Sequence, residues 1–234
     1  MEYLIVYQPV NNKRRIGSKH DGGYVIVDNI EYDAYLSCGV GYEVTFDNDF
    51  IDLYPNINSY AFDGTIEDRP ERLNQKIKFY KKNIDVNETD TTTNMHSIIE
   101  KYNSIFLKMD IEGFEWNWIL NLPEKLLNNI KQITIECHGI LNNEMGQTWS
   151  NKSESLKKLA STHNLVHVHG NNYDSRIIVG DIIIPQVLEL TYIRKDVPIS
   201  GKNKKPFPID NLDYPNNPFC SDYILGTLPY VDLS

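Results

Sequence analysis

Three carboxylates, Asp110, Glu112 and Glu115, fall within six residues directly after the apolar run Ile105–Met109. Asp110 ends a strand-like run, a costly place for an unpaired charge, so it reads as a functional group. Glu112 and Glu115 are three apart at the start of an expected helix, Glu112–Leu120, where negative charge also favours the helix dipole. For Glu115 a helix-start role is explanation enough. Two further strands run into histidines: Glu136 and His138 alternate along one strand and share a face, and His169 ends another. An imidazole titrates near neutrality and suits a base that takes a hydroxyl proton. The candidate catalytic group is therefore Asp110, Glu136, His138 and His169. Asp110, Glu136 and His138 are also a candidate ligand set for a divalent ion, Mg or Mn, which would hold an acceptor hydroxyl and lower its pKa. A metal-free site in which Glu136 orients His138 explains the same residues. His163 and His167 read as structural or surface groups, and His20 and His96 carry no signal.

A second constellation lies upstream. Ala34–Ser37 reads as a strand running into Cys38-Gly39-Val40-Gly41 and then a helix. Such a Gly-x-Gly turn lets the backbone approach a ligand, although the third glycine of the dinucleotide fingerprint is missing. The next strand ends in Phe62-Asp63-Gly64, about 20 positions on, where related folds place a carboxylate on an adenosine ribose. Asp63 as a cap of its own turn is the competing reading.

These residues need a scaffold that gathers strand ends. Short β-rich runs alternate with helix-like segments along most of the chain, the pattern of a parallel α/β sheet with helices on both faces. The core strands read as Ala34–Ser37, Ser59–Phe62, Ile77–Tyr80, Ile105–Met109, Gln132–Cys137, Leu165–His169 and Val187–Ile193. Helix candidates are a segment capped by Thr93 and running through Tyr102, then Glu112–Leu120, then Ser153–Thr162. Asn172–Ile184, with Gly180 between Ile-rich stretches, reads as a hairpin or flap. The expected organisation is one domain: a cap over 1–33, a Rossmann-like core over 34–195, and a Pro/Asn-rich arm over 196–234.

The run Phe106-Leu107-Lys108-Met109-Asp110-Ile111-Glu112-Gly113-Phe114-Glu115 closely resembles the signature of the FkbM-like methyltransferases. Ile133–His138, His167–Asn172 and Pro185–Tyr192 resemble the later strands of that family, and Asp21-Gly22-Gly23-Tyr24 resembles an N-terminal motif of one of its branches. The resemblance covers most of Asp21 to Lys195. It implies a class I methyltransferase fold with a mostly parallel seven-stranded sheet, and S-adenosylmethionine as cofactor. It implies that Gly39, Gly41 and Asp63 hold that cofactor, with Asp110 close to its reactive end. The usual acidic residue at the head of the glycine turn is replaced by Ser37-Cys38, so Gly22, Gly23 and Tyr24 are candidates for the missing contacts. It also implies a small hydroxyl-bearing acceptor, commonly a sugar of a bacterial glycan or its nucleotide-activated form, or a natural product.

Other residues fit a sugar. Tyr173, Tyr192, Tyr214 and Trp149 are rings able to stack on one, and Asn171, Asn172, Arg176 and the Lys202–Lys205 cluster offer contacts to hydroxyls or a phosphate. A formal charge of −9 disfavours nucleic acid as a partner. No run approaches the roughly 20 apolar residues of a membrane span, and nothing resembles a signal peptide, so a cytoplasmic enzyme, monomer or homodimer, is expected. Cys38, Cys137 and Cys220 are too far apart for a zinc or disulfide framework. The alternatives are a methyltransferase on some other oxygen or nitrogen acceptor and a nicotinamide-dependent sugar oxidoreductase or epimerase. The latter shares the glycine turn and Asp63 but lacks a Tyr-x-x-x-Lys pair.

Overall fold

The computed structural model describes residues 2–142 and 147–233. Seven strands form the central sheet: β1 (Ala34–Cys38), β2 (Asn58–Phe62), β3 (Ile77–Tyr80), β4 (Ile105–Met109), β5 (Ile130–Cys137), β6 (His163–Gly170) and β7 (Leu188–Arg194). Their spatial order is β3-β2-β1-β4-β5-β7-β6. Pairing is parallel from β3 to β5, and β7 runs antiparallel to both β5 and β6. All seven expected strands are present, each within two residues of its expected ends.

Apolar side chains on both faces give the sheet two cores. On one face an aromatic group, Tyr35, Phe46, Phe50 and Phe106, packs with Phe50 and Phe106 centroids 4.3 Å apart. It is built against α1 (Thr45–Leu53), which turns Phe46, Phe50 and Ile51 inward. On the other face Leu36, Leu107, Ile133 and Ile135 meet α3 (Glu115–Asn121) and α5 (Trp149–Thr162). Two single-turn helices, α2 (His96–Ile99) and α4 (Glu124–Leu127), complete the set. No described helix is long and apolar enough to cross a membrane.

The strand order reverses between β1 and β4, and in open α/β sheets the crevice at such a reversal binds ligands. The two strand ends are in close contact there. Gly39 has φ +73°, and a Cβ added to it would lie 1.6 Å from the Asp110 carbonyl oxygen. Only glycine lets β1 and β4 close to this distance.

Helix boundaries depart from expectation in three places. The helix expected from Glu112 begins at Glu115, because Glu112 (φ +56°) and Gly113 (φ +98°) adopt left-handed conformations that a helix cannot include. Likewise Met95 (φ +62°) breaks the segment after Thr93, which joins a short strand, so α2 is only four residues long. By contrast α5 is longer than expected, with the Thr148 side chain accepting from Asn151 N–H at its start.

Two outlying pieces cover the strand ends. Arg176–Val179 pairs with Ile182–Pro185 as the hairpin expected around Gly180. The C-terminal arm adds Ile199–Lys202 to Tyr7–Pro9 and then runs without regular structure. It supplies Asp213 and Asn216 to the interior and the half-buried Asp222 at its edge, and Asp213 bonds the buried His167 at 2.7 Å.

Candidate active site

A cavity of about 450 Å³ opens at the β1–β4 crevice, within the size range of small-ligand sites. Gly39, Gly41 and Asp63 line one side, and Asp110, Glu112 and Phe114 line the other. Asp63 is 6 % exposed and tied to its own surroundings. It accepts from Gly41 N–H at 2.8 Å and from Thr65 N–H and hydroxyl at 2.8 and 2.6 Å. Burial opposes ionisation, but these hydrogen bonds outweigh it and hold the carboxyl below its usual range. The turn-capping reading is therefore part of the structure, and the same carboxylate forms cavity wall. Lys82, Asn83 and Asp85 also line this side and were not anticipated. Their only sequence signal is a polar stretch after β3.

Of the N-terminal loop, Asp21 and Gly22 line the cavity, whereas Gly23 and Tyr24 do not. Gly23 is required for packing, since a Cβ there would lie 1.8 Å from the Ser18 carbonyl oxygen. Tyr24 is buried behind the wall. Its hydroxyl lies 3.1 Å from Asp110 Oδ2 and 3.1 Å from Glu136 Oε2. The hydroxyl has one proton for the two carboxylates. Burial, then the neighbouring charges of Asp110 and Glu189, push the pKa of Glu136 well up.

His138 is fixed from both ends of its peptide by α3. Its N–H donates to Glu115 Oε1 at 2.6 Å, and its carbonyl accepts from Trp116 Nε1 at 2.7 Å. The ring Nδ1 lies 3.3 Å from the same Glu115 oxygen. Nε2 faces Glu112 at 3.4 Å, with Asp110 and Glu136 each at 3.8 Å. Burial opposes the charged ring, but the Glu115 hydrogen bond and the surrounding carboxylates outweigh it and raise its pKa to about 10. Glu115, fully buried, is thus the clamp of His138 and more than a helix-start acid. Lys152 supports the following loop by donating to the carbonyls of Gly139 and Asn142.

His169 stands apart from the cavity. It is 2 % exposed, with Glu189 3.0 Å from Nδ1 and Asp222 2.9 Å from Nε2. Here too burial opposes the charge, and Glu189 and Asp222 outweigh it to give a pKa of about 10. Glu136, Glu189 and His169 form a row across β5, β7 and β6, because Glu189 pairs in register with both neighbours. Asn171 donates to Glu136 Oε1 at 2.8 Å, and Asn216 of the arm donates to Glu189 at 2.6 Å.

Among the described residues, the group whose ligand atoms lie within 4.8 Å of one another is Asp110, Glu112 and His138. Glu136, expected in that set, is not part of it, and its two oxygens meet Asn171 and Tyr24. None of the four rings proposed for stacking lines the cavity. Tyr192 is fully buried in the core, Tyr173 is exposed, Trp149 begins α5, and Tyr214 lies under Arg15 and Lys19. The aromatic wall is made by Tyr42, Phe62 and Phe114. Asn172 is spent on carbonyls of the arm, and Arg176 stacks on Tyr223 at 4.8 Å.

Residues 5–194 match the family model described as the methyltransferase FkbM domain. No curated protein is similar enough in sequence to count as a relative. The plantazolicin methyltransferase BpumL, solved with a substrate analogue and SAH, is 11 % identical with a TM-score of 0.33, covering 70 % of this chain and 77 % of its own. PigF with SAH is 11 % identical with a TM-score of 0.32, covering 71 % and 58 %. LepI with SAM is 11 % identical with a TM-score of 0.31, covering 70 % and 43 %. The chain thus matches about half the length of the last two.

Proposed function

Because the chain belongs to the FkbM methyltransferase family, we propose that its cavity carries out methyl transfer from S-adenosylmethionine to a hydroxyl of a sugar-like acceptor at Asp110. The observation that carries this reading is the position of Asp110, which is both cavity wall and the meeting point of Gly39, Tyr24 and His138.

The cofactor fits the Gly39–Asp63 side: bare glycine backbone, a fixed carboxylate, and a cavity large enough at the point of strand reversal. Gly39, Gly41, Asp63 and Gly22 would hold it, and Lys108, whose Nζ lies 2.7 Å from the Gly39 carbonyl oxygen, is the cation at hand for its carboxylate. When bound, S-adenosylmethionine supplies an electrophilic methyl group on a sulfonium. The protein must then orient the acceptor in line, take its proton and exclude water. Asp110 takes the proton. Its hydroxyl partner becomes acidic as the new oxygen–carbon bond forms, so a carboxylate suffices. His138, already protonated at neutral pH, does not serve as the base and instead holds Asp110 and Glu112 at the cavity edge. Glu136 and His169 stand behind and position these groups.

This reading routes no step through a divalent ion; Asp110, Glu112 and His138 are the residues that would hold one. EDTA is therefore expected to leave the rate unchanged, and a rate restored only by Mg or Mn would replace Asp110 as base by metal assistance.

The decisive variant is Asp110→Asn, with S-adenosylhomocysteine binding measured by calorimetry and methyl transfer measured with labelled donor. We expect turnover to fall about 10²–10⁴-fold while product affinity changes little. Undiminished turnover would remove Asp110 from the chemistry.

A further inference from the structure

Given the methyl-transfer site described above, on which this inference rests, we infer that the acceptor arrives without phosphate. It is a non-anionic, hydroxyl- or amine-rich molecule, methylated as a glycoside and not as a nucleotide-activated sugar.

The cavity is lined by six carboxylates, Asp21, Glu43, Asp63, Asp85, Asp110 and Glu112, and by two lysines. Neither lysine is left for an acceptor phosphate: Lys82 bonds Glu88 at 2.9 Å and the Thr89 carbonyl at 2.6 Å, while Lys108, 5 % exposed and bonded to Gly39, is assigned above to the cofactor's carboxylate. Among the described residues no arginine lines the cavity. The residues outside the described ones, Met1, 143–146 and Ser234, include no lysine or arginine.

Folds of this kind bind phosphate through backbone N–H groups at a glycine turn or a helix N-terminus. Here the protein's own carboxylates each take an N–H of these devices. Gly41 N–H donates to Asp63 at 2.8 Å, and Gly113 N–H, at the head of α3, donates to Glu115 at 2.8 Å. The cations that the sequence offered to a phosphate lie elsewhere: Arg176 on Tyr223, and Lys202 3.7 Å from Asp232. What remains at the Asp110 end is a set of hydrogen-bond acceptors. It extends inward to Asn216, which gives its amide hydrogens to Asp21 and Glu189 and keeps a buried Oδ1 without a partner. Such a wall is complementary to hydroxyl and ammonium donors and repels a diphosphate, the more so inside a cavity that focuses the field. In a reaction sequence, methylation would then follow the glycosyl transfer that discards the nucleotide.

The test uses the full chain, labelled S-adenosylmethionine and two pools made from the same sugars, amino sugars included. One pool holds nucleoside-diphosphate sugars and the other simple alkyl glycosides. We expect label to enter the glycosides about tenfold faster or more. Equal or faster labelling of the nucleotide pool would overturn the inference and leave the proposed function standing. Label in neither pool would overturn the sugar reading and this inference with it. Glu112→Lys, at a side chain 84 % exposed, should shift the ratio toward the nucleotide pool. An unchanged ratio would show that wall charge does not select the acceptor.

Discussion

His138 and His169 end strands on either side of β7, and each ring is raised to about 10 by carboxylates. Their surroundings separate them. The partners of His138 are Asp110, Glu112, Glu115 and Glu136, all from the adjoining β4–α3 turn or from its own strand, and its ring does not line the cavity itself but stands behind Asp110 and Glu112, which do. The partners of His169 are Glu189 on β7 and Asp222, 53 residues away on the arm, and they seal the ring on both sides. The same carboxylate–imidazole chemistry thus holds a cavity edge in one place and fastens the C-terminal arm in the other.

Substituting each histidine separates the two roles most sharply. For His169→Ala we expect a stability loss of about 3 kcal/mol, because the buried Glu189 and the half-buried Asp222 lose their counter-charge. Urea unfolding measures it, and turnover per folded molecule should change little. For His138→Ala the expected pattern is reversed: a turnover drop of about 10²-fold with a smaller stability loss. If His169→Ala stayed fully stable but inactive, the comparison would break and His169 would belong to the chemistry.

This contrast also explains how much the sequence could reveal. The central strands were legible because near-continuous apolar runs mark buried parallel sheet, and the Asp110 and His138 positions followed from those strand ends. Glu115 was visible as a residue but its role was not, since the left-handed pair Glu112-Gly113 delays the helix and turns Glu115 inward. Glu189 did leave a signal, a lone carboxylate inside the apolar run Val187–Ile193. Asp222 and Asn216 left none, because an irregular arm has no periodicity to say which side chains it buries. Similarly, Tyr24 follows a glycine pair that attracts attention as a ligand loop, while its actual place depends on contacts 86 and 112 residues away.

A pH series tests both sites together. Each ring has a folded-state pKa above its ordinary 6.5, so its stabilising effect is complete below about 6.5 and is lost as pH rises through about 10. Unfolding free energy should therefore fall between pH 7 and pH 10 by roughly 2 kcal/mol or more. In His169→Ala the fall should be about half as large. A wild-type curve flat over this window would mean that neither ring is charged.

The smallest expected effect concerns the acid between the two sites. Glu136 accepts from Asn171 on one oxygen and meets the Tyr24 hydroxyl with the other. Burial and the Asp110 and Glu189 charges favour its protonated form. Glutamine copies that neutral form, with an acceptor for Asn171 and a donor for Tyr24, so Glu136→Gln should shift stability by less than about 1 kcal/mol near pH 6. The sign changes with pH. A carboxyl whose pKa is raised on folding contributes its stability below the unfolded value and loses it as pH climbs through the folded value, a loss the amide escapes. The variant should therefore gain on the wild type as pH rises, with turnover within a few-fold. A turnover drop as deep as that of Asp110→Asn would show that Glu136 works as an ionised group at the reacting atoms. The division between a reactive His138 side and a structural His169 side would then dissolve, because the acid that joins them would belong to the chemistry.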